Sequence, residues 1–126
     1  MKVVASLLLF TLCIVGFGVW SISYINNSAQ DLTTRFDNLE QNIIQQNWSK
    51  ADTETKKIAQ LWSDTKSRWT LFLNHQEIDN IDLTYARLTK YVETQNRSLA
   101  LAEISALKLL IEHIPGLQRF SLNNIF

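Results

Sequence analysis

The stretch from residue 48 to residue 72 reads WSKADTETKKIAQLWSDTKSRWTLF and has the most regular apolar pattern in the chain. Its apolar and small residues recur at steps of three and four: Trp48, Ala51, Thr55, Ile58, Trp62, Thr65, Trp69 and Phe72. This spacing puts all of them on one face of an α-helix. It predicts a helix over residues 49–74 that packs in an antiparallel bundle, with its tryptophans in the core instead of forming a ligand cage.

Similar stripes lie on both sides of this segment. Residues 29–46 carry Ala29, Leu32, Phe36, Leu39 and Ile43. Residues 77–94 carry Ile78, Ile81, Tyr85, Leu88 and Val92, and residues 98–114 carry Leu99, Leu101, Ile104, Leu107, Leu110, Ile111 and Ile114. The predicted fold is therefore all-α, an antiparallel bundle of about four helices within residues 27–126.

Capping residues and helix breakers set the predicted boundaries. Ser28 and Ser98 precede the first and fourth stripes, Ser49 lies at the start of the second, and all three are predicted N-caps. The polar run His75-Gln-Glu-Ile-Asp-Asn80 is predicted to reverse the chain between the second and third helices. Pro115-Gly116 is predicted to end the fourth helix, which leaves residues 115–126 as a tail.

Residues 3–25 read VVASLLLFTLCIVGFGVWSISYI and contain no charged residue. A helix of this length spans roughly 34 Å, enough to cross a bilayer core of about 30 Å. The run is longer than the core of a cleaved signal peptide and no clear cleavage site follows it, so residues 1–26 are predicted to be a retained transmembrane anchor. Nothing between Tyr24 and Ser28 forces a break, so the first bundle helix is either separate from the anchor or continuous with it.

The charges that flank the anchor predict its orientation. Lys2 precedes the apolar run, whereas the first charged residues after it are mostly acidic, starting with Asp31. By the positive-inside rule the N-terminus is predicted to be cytoplasmic and residues 27–126 extracytoplasmic, in a single-pass protein of the cell membrane.

Composition argues against several function classes. The chain has 12 basic and 12 acidic residues, mixed along its length, which argues against a nucleic-acid partner because phosphate binding uses a clustered basic face. Its one cysteine, Cys13, lies in the anchor, so neither an intramolecular disulfide nor a thiolate metal site is expected. No nucleophile has a base at a recognisable spacing and no glycine-rich phosphate loop is present, so we expect no enzyme activity, catalytic residue or cofactor.

The antiparallel order brings His75 and His113 to the membrane-proximal end of the bundle. The polar residues near them form the predicted interaction surface: His75, Gln76, Glu77, Asp79, Asn80, Asp82, Glu112 and His113. A metal site built from His75, Glu77, Asp79 and His113 is the alternative, because two histidines and a carboxylate are a known ligand set. The spacing matches no metal-binding motif, and carboxylates at the start of a helix are equally explained by the helix dipole.

Several runs of the chain resemble one protein family. Asn47-Trp-Ser-Lys-Ala51, His75-Gln-Glu-Ile-Asp-Asn-Ile81 and Leu110-Ile-Glu-His-Ile-Pro115 are similar to the domain-of-unknown-function family DUF4363, short membrane-anchored bacterial proteins. The resemblance extends over nearly the whole chain. It implies no reaction, and because such proteins accompany small polytopic membrane proteins, it implies a membrane partner.

We therefore expect a non-enzymatic membrane protein that contacts the bilayer through residues 3–25 and uses its bundle as an interaction module. Its partner is expected to be a membrane or envelope protein, with sporulation or envelope stress as candidate processes. Two alternatives stay open. One is an extracytoplasmic sensor domain that binds a metal or small ligand at the His75 and His113 end, and the other is a homo-oligomer built on the stripe of residues 48–72.

Overall fold

The computed structural model describes the backbone of residues 1–125 and the side chains of residues 1–114. The chain forms four helices: α1 (Lys2–Ile44), α2 (Trp48–Trp69), α3 (His75–Glu93) and α4 (Arg97–Ile125). Helix α1 packs against α2 and α4, and α3 packs against α4 and, less extensively, against α2. No strand occurs in residues 1–125. The predicted all-α antiparallel bundle is confirmed.

The segment predicted as anchor and the first bundle helix form one continuous helix, α1. Ser28 therefore lies within a helix and does not cap one, and its hydroxyl donates to the carbonyl of Tyr24 at 2.8 Å. The buried stripe of α1 already begins at Ser21 and Ile25, within the segment predicted as anchor. The anchor and the bundle consequently overlap along α1, with no joint at residue 27.

The predicted apolar stripes form the core. Helix α2 buries every residue of its stripe between Ala51 and Trp69, and Trp48 and Phe72 pack against the core at its two ends. Trp69 is completely buried and lies edge-on to Trp62, with ring centroids 5.6 Å apart. The other helices contribute Ala29, Leu32, Phe36, Leu39, Ile43, Ile78, Ile81, Leu88, Val92, Ala100, Ile104, Leu107, Ile111 and Ile114. The tryptophans of α2 are thus core residues.

Two similar turns close the distal end of the bundle, which we define as the end formed by residues 45–47 and 94–96. In each turn a glutamine adopts a left-handed backbone conformation, with φ of 56° at Gln46 and 57° at Gln95. The next residue, Asn47 or Asn96, donates its N–H back to the preceding helix at 2.8 Å, which is the Schellman arrangement. Asn47 and Asn96 then accept from the backbone N–H groups of Lys50 and Leu99. Asparagine thus caps α2 and α4, where Ser49 and Ser98 were predicted.

The proximal end of the bundle, at the opposite pole, is formed by the turn of residues 70–74. Asn74 caps α3, because its Oδ1 accepts from the N–H of Gln76 at 2.8 Å. The run from His75 to Asn80 therefore lies in α3, and the prediction that it forms a polar turn is wrong. Asn74 and most of the residues after it are compatible with a turn, but asparagine is also a favoured N-cap, and here it starts a helix.

Helix α4 continues to Ile125, beyond the predicted stop at Pro115-Gly116. A proline inside a helix removes only its own N–H bond and displaces one carbonyl, at a cost of about 3 kcal/mol. The backbone is helical on both sides of Pro115, so this penalty does not end α4. The segment 115–126, predicted as a tail, is thus helical up to Ile125.

An ion pair crosses each of the four helix interfaces. Arg35 faces Glu54 between α1 and α2, and Arg87 binds Glu103 through two hydrogen bonds of 3.0 and 3.2 Å between α3 and α4. The remaining interfaces carry Lys66 with Asp82, and Lys108 with Asp37 and Glu40. Single exposed pairs contribute about 0–1 kcal/mol each, so their main effect is to fix the register of the helices.

Candidate functional site

The first turns of α3 place most of the predicted interaction residues at the proximal end. His75, Gln76, Asp79 and Asn80 are exposed, and Glu77 is half-buried. Glu77 lies in the first turn of α3, where the positive end of the helix dipole favours a carboxylate. The proximal end therefore presents exposed hydrogen-bond donors and acceptors on its surface.

Glu112 and His113 are exposed on α4 and lie at this same end. The pair Arg87 and Glu103 fixes the register of α3 against α4. His75 lies 12 residues before Arg87 and His113 lies 10 residues after Glu103, which corresponds to about 18 and 15 Å along the two helices. Because α3 and α4 are antiparallel, both histidines end at similar heights, as the sequence predicted.

The predicted interaction residues at the proximal end, which we call the proximal cluster, do not form a metal centre in the part of the chain whose side chains are described. Among residues 1–114, no group of three or more His, Cys, Asp or Glu side chains is arranged to hold a metal ion. His75, Glu77, Asp79 and His113 share an end of the bundle without converging on a point. The geometry therefore gives no support to the metal-binding alternative.

Asp82 belongs to the contact between α2 and α3. Its Oδ1 accepts a hydrogen bond of 2.7 Å from the indole Nε1 of Trp62, and the ammonium group of Lys66 binds Oδ2. Both oxygens of this half-buried carboxylate are thus occupied inside the bundle. Among the predicted interaction residues, Asp82 has the clearest structural role.

An apolar groove lies beside the cluster, where the 70–74 turn meets α1. Its volume is about 350 Å³ and its lining residues are Phe17, Trp20, Tyr24, Arg68, Leu71 and Phe72. The ring of Phe72 lies 6.3 Å from that of Phe17, and Trp20 stacks on Tyr24 at 6.0 Å. The guanidinium of Arg68 sits over the Tyr24 ring at 5.7 Å. We call this feature the aromatic groove.

The sequence did not predict this groove, although the aromatic residues of its α1 wall are visible in it. Trp20 and Tyr24 lie near the end of the apolar run, where aromatic rings favour the headgroup region, and Phe17 precedes them at helical spacing. The contribution of Leu71 and Phe72 depends on how far α2 extends alongside α1, which no local pattern reports. Leu71 is nevertheless visible in the sequence as one of three consecutive apolar residues in the turn, Leu71, Phe72 and Leu73.

Tyr85 and Lys108 have shifted pKa values and lie in helix interfaces. Burial raises the pKa of Tyr85 to about 12, against smaller opposing effects of hydrogen bonding to Thr89 and to the backbone of Ala59. Partial burial by itself would lower the pKa of Lys108, but the hydrogen bonds and charges of Asp37 and Glu40 outweigh it and the pKa is raised. In the folded state the phenol of Tyr85 is therefore favoured in its uncharged form, and the ammonium of Lys108 is favoured in its charged form. Neither group lines the aromatic groove.

Most of the apolar run at the start of α1 is exposed. Its large apolar side chains from Val3 to Trp20 have 56–72% of their surface accessible. Helix α1 is long and apolar enough to span a membrane by its length and composition. Signal sequences near an N-terminus share this length and composition.

Comparison with known proteins assigns the chain to a family. The profile described as "Domain of unknown function (DUF4363)" matches residues 19–125, from the second half of the apolar run to the end of α4. No curated protein and no solved structure matches the chain. Since the match includes the whole four-helix bundle, the chain belongs to the DUF4363 family.

Proposed function

We propose that this protein is a non-enzymatic, single-pass membrane protein whose bundle lies outside the cytoplasm and binds a membrane or envelope protein at its proximal end. The exposed part of α1 is the membrane span. The docking surface consists of the half-buried Glu77 and the exposed polar residues of the proximal end: His75, Gln76, Asp79, Asn80, Glu112 and His113. The bundle presents this surface at a fixed height above the lipid.

The contact between Phe72 and Phe17 carries this proposal. Phe17 lies inside the apolar run, so a turn that touches it is at the level of the bilayer boundary. Residue 75 begins α3 directly after that turn. A partner that contacts the start of α3 must therefore be close to the membrane surface, which favours a membrane-embedded protein or one bound to the envelope.

The continuity of α1 supports the same reading. One helix without a break connects the exposed apolar run to the core stripe that ends at Ile43. No flexible linker separates the span from the bundle, so the proximal end cannot swing far from the bilayer. This rigidity suits a protein that holds a partner at a defined position.

Site-specific photocrosslinking in the native membrane tests the proposal. A photoreactive amino acid replaces Gln76, which is exposed on the first turn of α3. We expect it to capture a distinct membrane or envelope protein. The matched control carries the same amino acid at Gln45, which is also exposed but lies in a distal turn.

Capture of the same proteins from both positions would contradict a proximal docking surface. Capture of only lipid, or only of a second copy of the chain, from Gln76 would also contradict it. Capture of only a second copy of the chain would instead support the homo-oligomer. Replacement of the neighbouring His75 by alanine should reduce the specific product, because His75 shares the exposed start of α3.

A further inference from the structure

The aromatic groove contains an exposed leucine that the bundle does not use. Leu71 is 78% exposed, although its neighbour Phe72 packs against the core. An apolar side chain at the tip of a turn gains nothing from water. Its position next to the apolar run of α1 suggests an apolar environment outside the protein.

The groove is layered along the axis of α1. Phe17, Trp20 and Tyr24 follow one another at helical spacing and their rings contact in sequence, with centroids 6.0 Å apart in both steps. The rise from Phe17 to Tyr24 is about 10 Å. Phenylalanine thus lies deepest, tryptophan lies in the middle and tyrosine lies nearest the end of the span, which is the order in which side chains become compatible with headgroups.

The turn of residues 70–74 repeats these layers on the opposite wall. Phe72 is level with Phe17, whereas Arg68 is level with Tyr24 and places its guanidinium over that ring. A cation above an apolar floor matches a phospholipid, whose phosphate is anionic and whose acyl chains are apolar. The groove is also continuous with the membrane span, because Phe17 and Trp20 belong to both.

From this arrangement we infer that the α2–α3 turn is a second membrane contact. Leu71 and Phe72 enter the acyl region of the leaflet on the side of the bundle, and Arg68 binds a phospholipid phosphate. The bundle is thereby held against the bilayer at two points, α1 and the turn. This inference rests on the membrane span in the proposed function but does not depend on a protein partner.

Nitroxide accessibility in the full-length chain, reconstituted in nanodiscs of phosphatidylethanolamine and phosphatidylglycerol, tests the contact. A label on native Cys13 is the reference for the span, since Cys13 is exposed within the apolar run. In a Cys13→Ala background, Leu71→Cys carries the label in the turn and Gln45→Cys carries it in a distal turn. Collisions with molecular oxygen, which concentrates in lipid, are compared with collisions with a water-soluble nickel chelate.

We expect the ratio of oxygen to nickel collisions to be several-fold higher at residue 71 than at residue 45, and to approach the ratio at Cys13. Equal ratios at residues 71 and 45, with a high ratio at Cys13, would overturn the second contact and leave the span intact. Protection of residue 71 from both reagents would also overturn it, because a protein surface and not lipid would cover the turn. A low ratio at Cys13 would remove the span itself, and the proposed function would fail with it.

Discussion

The indole Nε1 of Trp62 donates a hydrogen bond of 2.7 Å to the carboxylate of Asp82, and this contact joins α2 to α3, which pack less extensively than α3 does against α4. Lys66 occupies the other carboxylate oxygen. A polar contact between side chains thus supports an interface that has little backbone proximity of its own.

Removal of the Asp82 carboxylate should destabilise the bundle. Asp82→Ala leaves the N–H of the buried Trp62 without its acceptor, and we expect a loss of about 1–3 kcal/mol in the free energy of unfolding. Asp82→Asn keeps a carbonyl acceptor and should cost less. Thermal unfolding of the full-length chain in micelles, followed by circular dichroism, measures the loss in both variants.

Asp79→Ala, on the exposed side of the same helix, is the control and should stay within about 0.5 kcal/mol of the wild type. Equal losses for all three variants would refute the role of Asp82.

Glycine at the left-handed positions of the distal turns should stabilise the fold. Gln46 and Gln95 have positive φ, which costs a residue with a Cβ about 1–2 kcal/mol, whereas glycine adopts this conformation freely. After the greater entropy of glycine in the unfolded chain is subtracted, we expect Gln46→Gly and Gln95→Gly each to add about 0.5–1 kcal/mol. Gln45→Gly is the control, because Gln45 has a φ of −78° and should lose stability on substitution. A lower melting temperature for both test variants would show that the glutamine side chains contribute more than the strain costs.

Lys108 should contribute to stability through Asp37 and Glu40. Its side chain is 24% exposed and joins α4 to α1. We expect Lys108→Met, which keeps the apolar stem, to cost about 0.5–1 kcal/mol, and we expect high salt to reduce the difference from the wild type. Lys56→Met is the control, since Lys56 is exposed and pairs only within α2. A difference that does not change with salt would argue that packing, and not charge, explains the effect.

Tyr85 should make the fold sensitive to alkaline pH. Its pKa is raised by burial to about 12, so the folded state favours the protonated phenol. This contribution is complete below the unfolded pKa of about 10 and is lost as the pH rises from there towards 12. Because the phenol is partly accessible to solvent, we expect a loss of about 1–2 kcal/mol across this range. Urea unfolding at several alkaline pH values should therefore show a smaller loss in Tyr85→Phe than in the wild type. Identical slopes would contradict the assignment.

The sequence predicted the helices well because each one buries a stripe at helical spacing. The stripe from Ala51 to Trp69 needed no tertiary information, since its periodicity alone identifies the core face. Capping was harder to predict. Asn47-Trp-Ser49 and Asn96-Arg-Ser98 each offer two N-cap candidates, and asparagine caps the helix because the Schellman bonds of the preceding helix end at that residue.

Features that depend on register between helices escaped prediction. The role of Asp82 requires knowing that Trp62 and Lys66 lie at its height on α2. Prediction of the aromatic groove requires knowing that the turn after α2 reaches the height of Phe17 on α1. Turn lengths set these registers, and a turn shifted by two residues moves a helix by about 3 Å.

The proposed function requires the bundle to lie outside the cytoplasm at the end of a single membrane span. Labelling of intact cells with a membrane-impermeant maleimide tests this most directly, using Gln45→Cys in a Cys13→Ala background because Gln45 is exposed in a distal turn. We predict full labelling of residue 45 before permeabilisation, and no labelling of the unmodified chain, whose Cys13 lies in the span. Labelling of residue 45 only after the cells are permeabilised would place the bundle in the cytoplasm and contradict the account.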